Sequence, residues 1–378
     1  MKAVIAIDSF KGSMTSLEAG NAAAEGIRRA IPDAVTEVRP MADGGEGTVD
    51  AIVFATGAEM TSVTVTGPFG KPVECAYGIA PESGTAVIEM SAAAGITLAP
   101  REELDPYKAT TYGVGEVIRD AIERGCRNFY VGIGGSATND GGAGMLQALG
   151  YKLLDKDGNE IAKGAAGLAD LAEIDVTTRM PELDECKFRT ICDVNNPLCG
   201  DNGASAIYGP QKGATPEMVK VLDGWLANYA ELTAKVCPGA DPLLPGSGAA
   251  GGLGFGLRSY LGATLEPGID IVLEVTRLED FVKEADVVIT GEGRLDKQTV
   301  MGKAPAGVAG LAKKYGIPVI AFSGSVTDDA RYCNEHGIDA FFPILRTVVT
   351  LDEAMATENA LKNMTDTAEQ VFRLYALK

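Results

Sequence analysis

The chain has 378 residues, of which 46% are hydrophobic and 22% charged, a balance typical of globular rather than disordered proteins. A single hydrophobic core is unusual at this length, so two domains are expected. The formal net charge of −19 opposes binding to nucleic acid and to anionic membranes. Anionic substrates would be repelled as well, so any phosphate site must be locally positive through lysine, arginine, backbone N–H groups or Mg²⁺.

The cysteine pattern and the N-terminal sequence bear on the cellular compartment. The seven cysteines include no Cys-x-x-Cys pair, and no histidine lies near the closest three of them. Zinc is therefore not expected, and free thiols in a reducing cytoplasm are the simplest interpretation. Asp8 interrupts the first apolar run too early for a signal peptide, and no stretch reaches the ~18 apolar residues that span a bilayer. The sequence thus predicts a cytoplasmic protein that binds neither membrane nor nucleic acid.

The beginning and the end of the chain share an alternating strand and helix pattern, which is typical of a parallel sheet. Near the N-terminus, strands are predicted at residues 2–7 and 34–39, and helices at 16–31 and 47–55. Near the C-terminus, strands are predicted at 285–290, 318–322 and 340–345, and helices at 305–315, 328–335 and most of 351–375. Both parts are expected to contribute to one sheet.

The middle of the chain has a different pattern. Three short strands at 61–66, 73–79 and 86–89 are separated only by turns, which predicts an antiparallel meander. Further helices are predicted at 113–124, 142–149 and 216–235, and further strands at 128–133, 151–154 and 188–192. The glycine-rich residues 245–256 are interpreted as a loop or a tightly packed hinge rather than a strand.

These patterns predict an α/β protein of two domains. Residues 1–65 and 276–378 would form a discontinuous parallel-sheet domain of the Rossmann or flavodoxin type, and residues 66–275 an inserted mixed α/β domain. Two chain crossings make a natural hinge, and the active site is expected in the interdomain cleft.

Three glycine-rich acidic segments dominate the sequence. They are Met41-Ala-Asp-Gly-Gly-Glu-Gly-Thr48, Gly134-Gly-Ser-Ala-Thr-Asn-Asp-Gly-Gly142 and Thr290-Gly-Glu-Gly-Arg-Leu-Asp296, each interpreted as a loop after a strand. Glycine lets backbone N–H groups approach an anion, and hydroxyl side chains add donors. The carboxylates in the same segments suit a metal ion or a proton. Phosphate donors beside carboxylates suggest phosphoryl transfer.

The second of these segments is the predicted phosphate cradle. Its candidate residues for nucleotide or phosphate binding are Gly134, Gly135, Ser136, Thr138 and Asn139. The stretch Gly132-Ile-Gly-Gly-Ser-Ala137 also loosely fits a dinucleotide fingerprint, with Asp155 about 20 residues further on. The fit is imperfect because the loop continues where a Rossmann helix should begin.

Carboxylates beside glycine turns are the metal candidates, because Mg²⁺ prefers oxygen ligands. They are Asp43, Glu46, Asp140, Glu292 and Asp296. Each also has an ordinary interpretation. Asp43 and Glu46 could cap and charge a helix start, Asp140 could cap the next helix, and the last two could pair with Arg294.

The segment Asp8-Ser-Phe-Lys-Gly-Ser13 follows the first strand, at the edge where open α/β sheets bind ligands. Asp8, Ser9 and Lys11 offer a carboxylate, a hydroxyl and a cation to a substrate or a phosphate. The alternative is a surface turn in which Ser9 or Ser13 caps the next helix. Ser91, just after the third meander strand, is a weaker candidate for contacts to substrate hydroxyls.

The only histidine, His336, has the surroundings of a helix end and is interpreted as structural. A general base must then be a carboxylate or a lysine. Asp193 is preferred because it ends a predicted strand in a segment that has no cation of its own. An Asx turn before Pro197 is the alternative. Arg294 is the residue of these segments best suited to bind a carboxylate or a phosphate, because its guanidinium can donate two parallel hydrogen bonds.

Taken in chain order, the Asp8 segment, the three glycine-rich segments and Cys192-Asp-Val-Asn-Asn-Pro197 resemble the bacterial type I glycerate kinase family. The resemblance runs from the first strand to the last helix. It implies two α/β domains, the second inserted into the first, and ATP-dependent, Mg²⁺-assisted phosphorylation of D-glycerate, with 2-phosphoglycerate favoured. Asp193, Arg294 and Lys11 would then be catalytic, and Asp8, Ser9, Ser91 and Arg294 would bind glycerate.

Two other functions remain open from the residues alone. An NAD-dependent hydroxy-acid oxidoreductase would use the loose fingerprint, and a non-catalytic two-domain ligand-binding protein would explain the hinge but not the number of carboxylates. The sequence gives no indication of the oligomeric state.

Overall fold

The computed structural model describes residues 1–45 and 47–377, so Glu46 and Lys378 lie outside the described residues. The chain divides into two compact units, one of Met1–Thr56 with Pro267–Lys378 and one of Gly57–Glu266. Each unit has a hydrophobic core of its own. The sequence placed the boundaries at 65/66 and 275/276. They differ here because residues 59–66 pair within the sheet of the second unit, while residues 268–275 pack in the first.

The N-terminal segment of the first unit alternates strand and helix. Its elements are β1 (Lys2–Ile7), α1 (Ser16–Ala30), β2 (Val35–Val38) and α2 (Thr48–Thr56). α1 begins at a capping box, in which the Thr15 hydroxyl accepts from the Glu18 N–H and the Glu18 carboxylate accepts from the Thr15 N–H. Thr15 is therefore the cap of this helix, so the alternative interpretation of the Asp8 segment, in which Ser9 or Ser13 caps the helix, is wrong.

The second unit carries most of the elements. They are β3 (Glu59–Thr66), β4 (Pro72–Ala80), β5 (Thr85–Glu89), α3 (Met90–Ala94), α4 (Tyr112–Glu123), β6 (Asn128–Gly132), α5 (Ala143–Ala148), β7 (Lys152–Leu154), β8 (Glu173–Asp175), β9 (Lys187–Ile191), α6 (Ala204–Tyr208), α7 (Pro216–Val236), α8 (Ala249–Leu261) and β10 (Thr264–Glu266). The main sheet has the order β10-β9-β6-β5-β4-β3, and β7 pairs separately with β8. β3, β4 and β5 form the predicted antiparallel meander, whereas β5, β6, β9 and β10 run parallel.

The glycine-rich residues 245–256 are only partly a loop, because α8 begins within them. The start of α8 is irregular, with left-handed backbone at Ala250, Gly251 and Gly252 (φ 53°, 67° and 90°). The glycines permit close packing. A Cβ on Gly251 would collide with the Thr138 carbonyl, and one on Gly256 would lie 2.7 Å from the Gly141 carbonyl oxygen. The close packing agrees with the second of the two interpretations, the role as a hinge remains a prediction, and the regular part of α8 begins only after residue 252.

The C-terminal segment completes the first unit. Its elements are α9 (Gly268–Val275), α10 (Leu278–Val282), β11 (Val287–Leu295), α11 (Ala304–Lys314), β12 (Val319–Val326), α12 (Tyr332–Glu335), β13 (Ala340–Pro343), α13 (Leu351–Met355) and α14 (Thr357–Tyr375). The helix predicted at 328–335 is thus confined to its last turn, and the one predicted at 351–375 breaks at Ala356.

The sheet of the first unit is parallel throughout, in the order β13-β12-β11-β1-β2. Counted along this unit, the strand order is 2-1-3-4-5, that of the flavodoxin type. The predicted fold class, a discontinuous parallel-sheet α/β part with an inserted mixed α/β part, is confirmed. Along the described residues, no helix has the length and apolarity required to cross a membrane. All seven cysteines are free thiols.

Candidate active site

The candidate site in the first unit lies at the point where the strand order reverses. β1 has β2 on one side and β11 on the other, and open α/β sheets bind ligands at the carboxyl ends of such strands. Ile7 pairs with Gly291, so Asp8 and Glu292 are at the same level of the sheet. A cavity of about 480 Å³ opens there. Its polar lining consists of Asp8, Ser9, Lys11, Ser13, Asp43, Glu292, Arg294, Asp296, Gln298, Lys303 and Ser325.

Asp8 has the most perturbed electrostatics of the lining residues. Its side chain is only 4% exposed, and one carboxylate oxygen accepts a 2.6 Å hydrogen bond from the Ser9 N–H. Burial, together with the nearby carboxylates of Asp43 and Glu292, raises the pKa of Asp8 to about 7, against the opposing effects of the Ser9 N–H and Lys11. The neighbouring carboxylates of Asp43 and Glu292 thus disfavour the charged form of Asp8 more than Lys11 favours it.

Glu292 lies on β11, where sequence analysis predicted a loop. The correction has a physical reason, because β11 continues to pair with β12 through Glu292 opposite Ser323 and Arg294 opposite Ser325. The Glu292 carboxylate accepts hydrogen bonds from the Thr299 hydroxyl (2.6 Å) and the Lys303 ammonium (3.0 Å). Burial raises the pKa of Glu292, while these two donors oppose the shift.

Arg294 and Asp296 form the salt bridge that was the ordinary interpretation of this segment. The Arg294 Nε lies 3.5 Å from the Asp296 carboxylate, and the arginine side chain remains 65% exposed. Asp296 also caps the short 3₁₀ turn Lys297–Val300 through the Gln298 N–H. One long ion pair leaves most of the guanidinium N–H groups available to a ligand in the cavity.

Lys303 was missed by the sequence analysis. Its side chain lines the cavity, is 30% exposed and forms an ion pair with Glu292. In the sequence, Gly302-Lys303-Ala304 lacks the upstream glycine that a phosphate-binding Walker A motif requires at a fixed spacing, so no local pattern marks this lysine. Lys303 is far from β1 in sequence, and only the parallel sheet brings the two together.

The remaining predicted residues of this unit are close to the same cavity. Ser9 has a buried hydroxyl oxygen without a hydrogen-bond partner among the described residues. Lys11 is exposed, and a Cβ on Gly45 would lie 3.6 Å from its Nζ. Asp43 is half-buried and accepts from the Gly45 N–H at 3.2 Å. Glu46, the fourth metal candidate of this unit, lies outside the described residues.

The donor set can be compared with what Mg²⁺ requires. Among the described residues, no three carboxylate, histidine or cysteine side chains are close enough to hold a metal by themselves. Mg²⁺ is usually held by one or two carboxylates, with water and the phosphates of a ligand completing the shell. Asp8 and Asp43, whose mutual repulsion contributes to the raised pKa of Asp8, fit such a partial set. The residues therefore fit Mg²⁺ bound together with a phosphate, and not a preformed protein cage.

In the second unit, the predicted residues also lie at carboxyl ends of parallel strands. Glu89, Gly132 and Ile191 are paired across β5, β6 and β9, so the segments after them start from one edge of the sheet. Asp193 follows β9 and is exposed. Ser91 follows β5, and a Cβ on Gly135 would lie 3.4 Å from the Ser91 Cβ. The structure thus places Ser91 beside the predicted phosphate loop and Asp193 on the same sheet edge.

The phosphate loop itself is more buried than the sequence suggested. Gly134 and Gly135 are exposed, whereas Ser136, Thr138 and Asn139 are 6%, 0% and 0% exposed. The Asn139 amide donates to the Ser205 hydroxyl at 2.9 Å. The surface that this loop offers to solvent is therefore mainly glycine backbone.

Asp140 is completely buried, and its hydrogen bonds hold the loop in place. Its carboxylate accepts from the Thr111 N–H and hydroxyl and from the N–H groups of Gly142 and Gly144. Burial raises the pKa of Asp140, and these four donors oppose the shift. The contacts match the capping interpretation, and the assignment of Asp140 to a metal remains a prediction.

Lys212 is a second residue that the sequence analysis missed. It is 1% exposed, and its ammonium donates to the Ser136 hydroxyl (2.7 Å) and the Thr138 carbonyl (2.6 Å). Burial lowers the pKa of Lys212 to about 7, with Asp140 opposing the shift. No pattern in Gly209-Pro-Gln-Lys-Gly213 distinguishes it from an ordinary surface lysine.

A flavodoxin-type sheet with carboxylates and cations at its switch point is characteristic of α/β proteins that bind small ligands. The chain matches the model of the glycerate kinase family over residues 3–376. It is 50% identical over 354 residues to the glycerate 2-kinase of Escherichia coli strain K12, covering 94% of this chain and 93% of that protein. It is 48% identical to the glycerate kinase of Haemophilus influenzae, covering 100% of both.

A solved structure agrees with these relatives. The crystal structure of a proposed glycerate kinase 2 from Salmonella typhimurium LT2 superimposes with a TM-score of 0.92 at 47% identity, covering 100% of this chain and 98% of that one. The chain therefore belongs to the glycerate kinase family. It is an enzyme of the phosphotransferase class that uses an alcohol group as acceptor, rather than an oxidoreductase or a non-catalytic binding protein.

Proposed function

We propose that this chain transfers the γ-phosphoryl group of ATP to a hydroxyl of D-glycerate, with Mg²⁺ as cofactor and 2-phosphoglycerate as product. The observation that supports this proposal most strongly is that carboxylates and cations line one cavity at the switch point of the parallel sheet. The name of the Escherichia coli relative, a glycerate 2-kinase, supports the 2-hydroxyl as acceptor.

The cations of this cavity would overcome the repulsion between an acidic protein and its anionic substrates. Lys11, Arg294 and Lys303 line a single cavity in a chain of net charge −19. Arg294 can hold two oxygens of the glycerate carboxylate at once, because a guanidinium presents its N–H groups as a planar fork. Lys11 and Lys303 act as point charges that neutralise phosphate oxygens. The Asp8 carboxylate would accept hydrogen bonds from glycerate hydroxyls, and the Ser9 hydroxyl would donate to them.

Mg²⁺ would neutralise charge on the ATP phosphates during transfer. Asp8 and Asp43 are the described residues best placed to hold it, directly or through water, and Glu292 and Asp296 are secondary candidates. Gly134, Gly135, Ser136, Thr138 and Asn139 are proposed to contact the nucleotide phosphates, mainly through glycine backbone.

The proposed general base is Asp193. Its carboxylate would orient the acceptor hydroxyl and receive its proton as the oxygen attacks phosphorus. The only histidine does not compete for this role. His336 is exposed at the end of α12, with its Nδ1 hydrogen-bonded to the Tyr332 carbonyl. Asp193 belongs to the second unit and the cavity to the first. The predicted location of the active site in an interdomain cleft therefore remains a prediction, as does the cytoplasmic location that the free thiols favour.

A coupled assay tests the proposal directly. ADP release is measured with D-glycerate and Mg²⁺-ATP, with L-glycerate and metal-free reactions as controls, and the product is identified by ³¹P and ¹³C NMR. We expect turnover that requires D-glycerate and Mg²⁺ and yields 2-phosphoglycerate. Formation of 3-phosphoglycerate would overturn the regiochemistry alone, and absence of glycerate-dependent ADP release would overturn the proposed function.

Asp193→Asn tests the proposed base. We expect kcat to fall by ~10²–10⁴-fold, the usual contribution of general-base catalysis, with the thermal unfolding temperature unchanged because the side chain is exposed. Asp201→Asn, an exposed aspartate of the same unit, is the matched control and should retain wild-type kcat. A wild-type kcat in Asp193→Asn would remove this residue from the mechanism.

A further inference from the structure

A buried lysine, Lys212, contacts the predicted phosphate loop, and among the described residues it forms no ion pair with a carboxylate. The Lys212 ammonium donates to two neutral oxygens, the Ser136 hydroxyl and the Thr138 carbonyl. Burying a cation among neutral acceptors costs free energy, and a lysine that only filled space could be replaced by an apolar side chain. The arrangement is therefore better explained by a ligand whose negative charge compensates the ammonium.

The hydrogen bond from Lys212 also determines the direction of the Ser136 hydroxyl. A hydroxyl oxygen that accepts from an ammonium must point its own hydrogen elsewhere. Within the described residues, the Ser136 hydroxyl has no acceptor for that hydrogen. Two neighbouring buried atoms, Thr138 Oγ1 and Asn139 Oδ1, have no partner among the described residues either. The loop thus holds unused hydrogen-bonding capacity immediately after its exposed Gly134 and Gly135 backbone.

We propose that Lys212 is a positioning residue for nucleotide phosphate. It holds the loop through Ser136 and Thr138, directs the Ser136 hydroxyl towards a phosphate oxygen, and supplies a buried positive charge that binding of the phosphate stabilises. The inference rests on the proposed phosphoryl transfer and adds to it a residue that neither the motifs nor the cavity of the first unit identify.

The charge state of Lys212 provides a readout that packing alone would not affect. Burial lowers its pKa to about 7, so at pH 8 most of the ligand-free protein carries the neutral amine. A phosphate anion nearby favours the ammonium, so binding should take up protons from solvent. Among the described residues, the charged group that acts on Lys212 is Asp140 of the loop, which favours the ammonium.

Calorimetric titration with MgADP at pH 8, in buffers of different ionisation enthalpy, measures this proton uptake. We expect the wild type to take up a substantial fraction of one proton and Lys212→Met to take up markedly less. Lys220→Met, an exposed lysine of the same unit, is the control and should match the wild type. No proton uptake by the wild type would overturn the proposal without recourse to any variant.

Steady-state kinetics provide the second test. Lys212→Met and Ser136→Ala should each raise KM for ATP by about tenfold or more, the loss of one charge-assisted hydrogen bond, with KM for glycerate within twofold of wild type. In a double-mutant cycle their effects should be less than additive, because each removes the same contact. Should Lys212→Met fail to fold, Ser136→Ala and the wild-type titration still decide the question.

Two results would contradict the proposal: a wild-type KM for ATP in Lys212→Met, or strictly additive effects of the two substitutions. These outcomes are distinct from failure of the proposed function. A wild type that releases no ADP with glycerate would refute the kinase proposal. An active wild type whose KM for ATP is unchanged by Lys212→Met would refute only this inference.

Discussion

At the scale of residues, burial of Asp8 in the candidate site lowers the stability of the ligand-free protein. A carboxyl group whose pKa rises to about 7 on folding binds its proton more tightly in the folded than in the unfolded state. The free energy of unfolding therefore falls as the pH rises from about 4 to about 7. Above that range the effect of Asp8 no longer changes with pH. The cost at pH 8 is at most about 4 kcal/mol, since each pKa unit corresponds to 1.36 kcal/mol.

Asp8→Asn should therefore raise the unfolding temperature of the ligand-free protein at pH 8, with a gain that shrinks towards pH 5. The same variant should lose activity, because Asp8 lines the cavity. Thermal unfolding between pH 5 and pH 8 measures the effect, with the exposed Asp33→Asn as control. A stability difference independent of pH would show that the Asp8 carboxylate is not under strain.

Arg294 tests whether the cavity holds a planar anion. Arg294→Lys keeps the charge but loses the fork, so kcat/KM for glycerate should fall about ten- to a hundredfold, equivalent to ~1.5–3 kcal/mol for one charge-assisted hydrogen bond. KM for ATP should hardly change. Arg373→Lys, in an exposed ion pair on α14, is the control and should behave as wild type. If Arg294→Lys also does, the salt bridge to Asp296 is the only role of this arginine.

At the scale of elements, two helix glycines of the first unit allow the effect of close packing to be distinguished from the effect of helix propensity. Gly26 on α1 faces α14, where a Cβ would collide with the Thr365 carbonyl and lie 2.8 Å from the Ala368 Cβ. Gly310 on α11 is exposed, and a Cβ there would meet nothing within 4 Å.

We expect Gly26→Ala to lower the free energy of unfolding by ~1–3 kcal/mol through overpacking. Gly310→Ala should raise it by up to ~1 kcal/mol, because alanine favours the helix over glycine. Urea unfolding of both variants measures the difference. Equal effects of the two substitutions would mean that the contact between α1 and α14 is not as close as described.

At the scale of the whole molecule, the two units differ in how the chain builds them. The second unit is one continuous segment with its own core, which includes Tyr77, Phe129 and Tyr229, whereas the first unit is assembled from both ends of the chain. We therefore expect residues 57–266, expressed alone, to fold and to unfold cooperatively on heating. Circular dichroism of this fragment beside the full chain provides the test, and a fragment without a cooperative transition would show that its core depends on the first unit.

The sequence by itself determined most of the elements, because local pattern and turn residues agree. The strand at residues 2–7, the meander and the long helix from Pro216 were all predictable from apolar spacing and from glycine or proline at their ends. The candidates Asp8, Asp43 and Glu292 were also proposed from sequence, because Asp8 directly follows an apolar run and the other two lie beside glycines, which are local signals.

Only the tertiary structure decided which of these residues meet and which are accessible. The segment from Thr290 continues as a strand because β12 pairs beside it, and that pairing partner lies outside any local window. Lys303 reaches Glu292, and Lys212 reaches Ser136, across 11 and 76 positions of sequence. Burial of Ser136, Thr138 and Asn139 depends on segments packed around the loop. Long-range packing, burial and the pKa shifts that follow from them are properties of the folded chain and leave no local pattern in sequence.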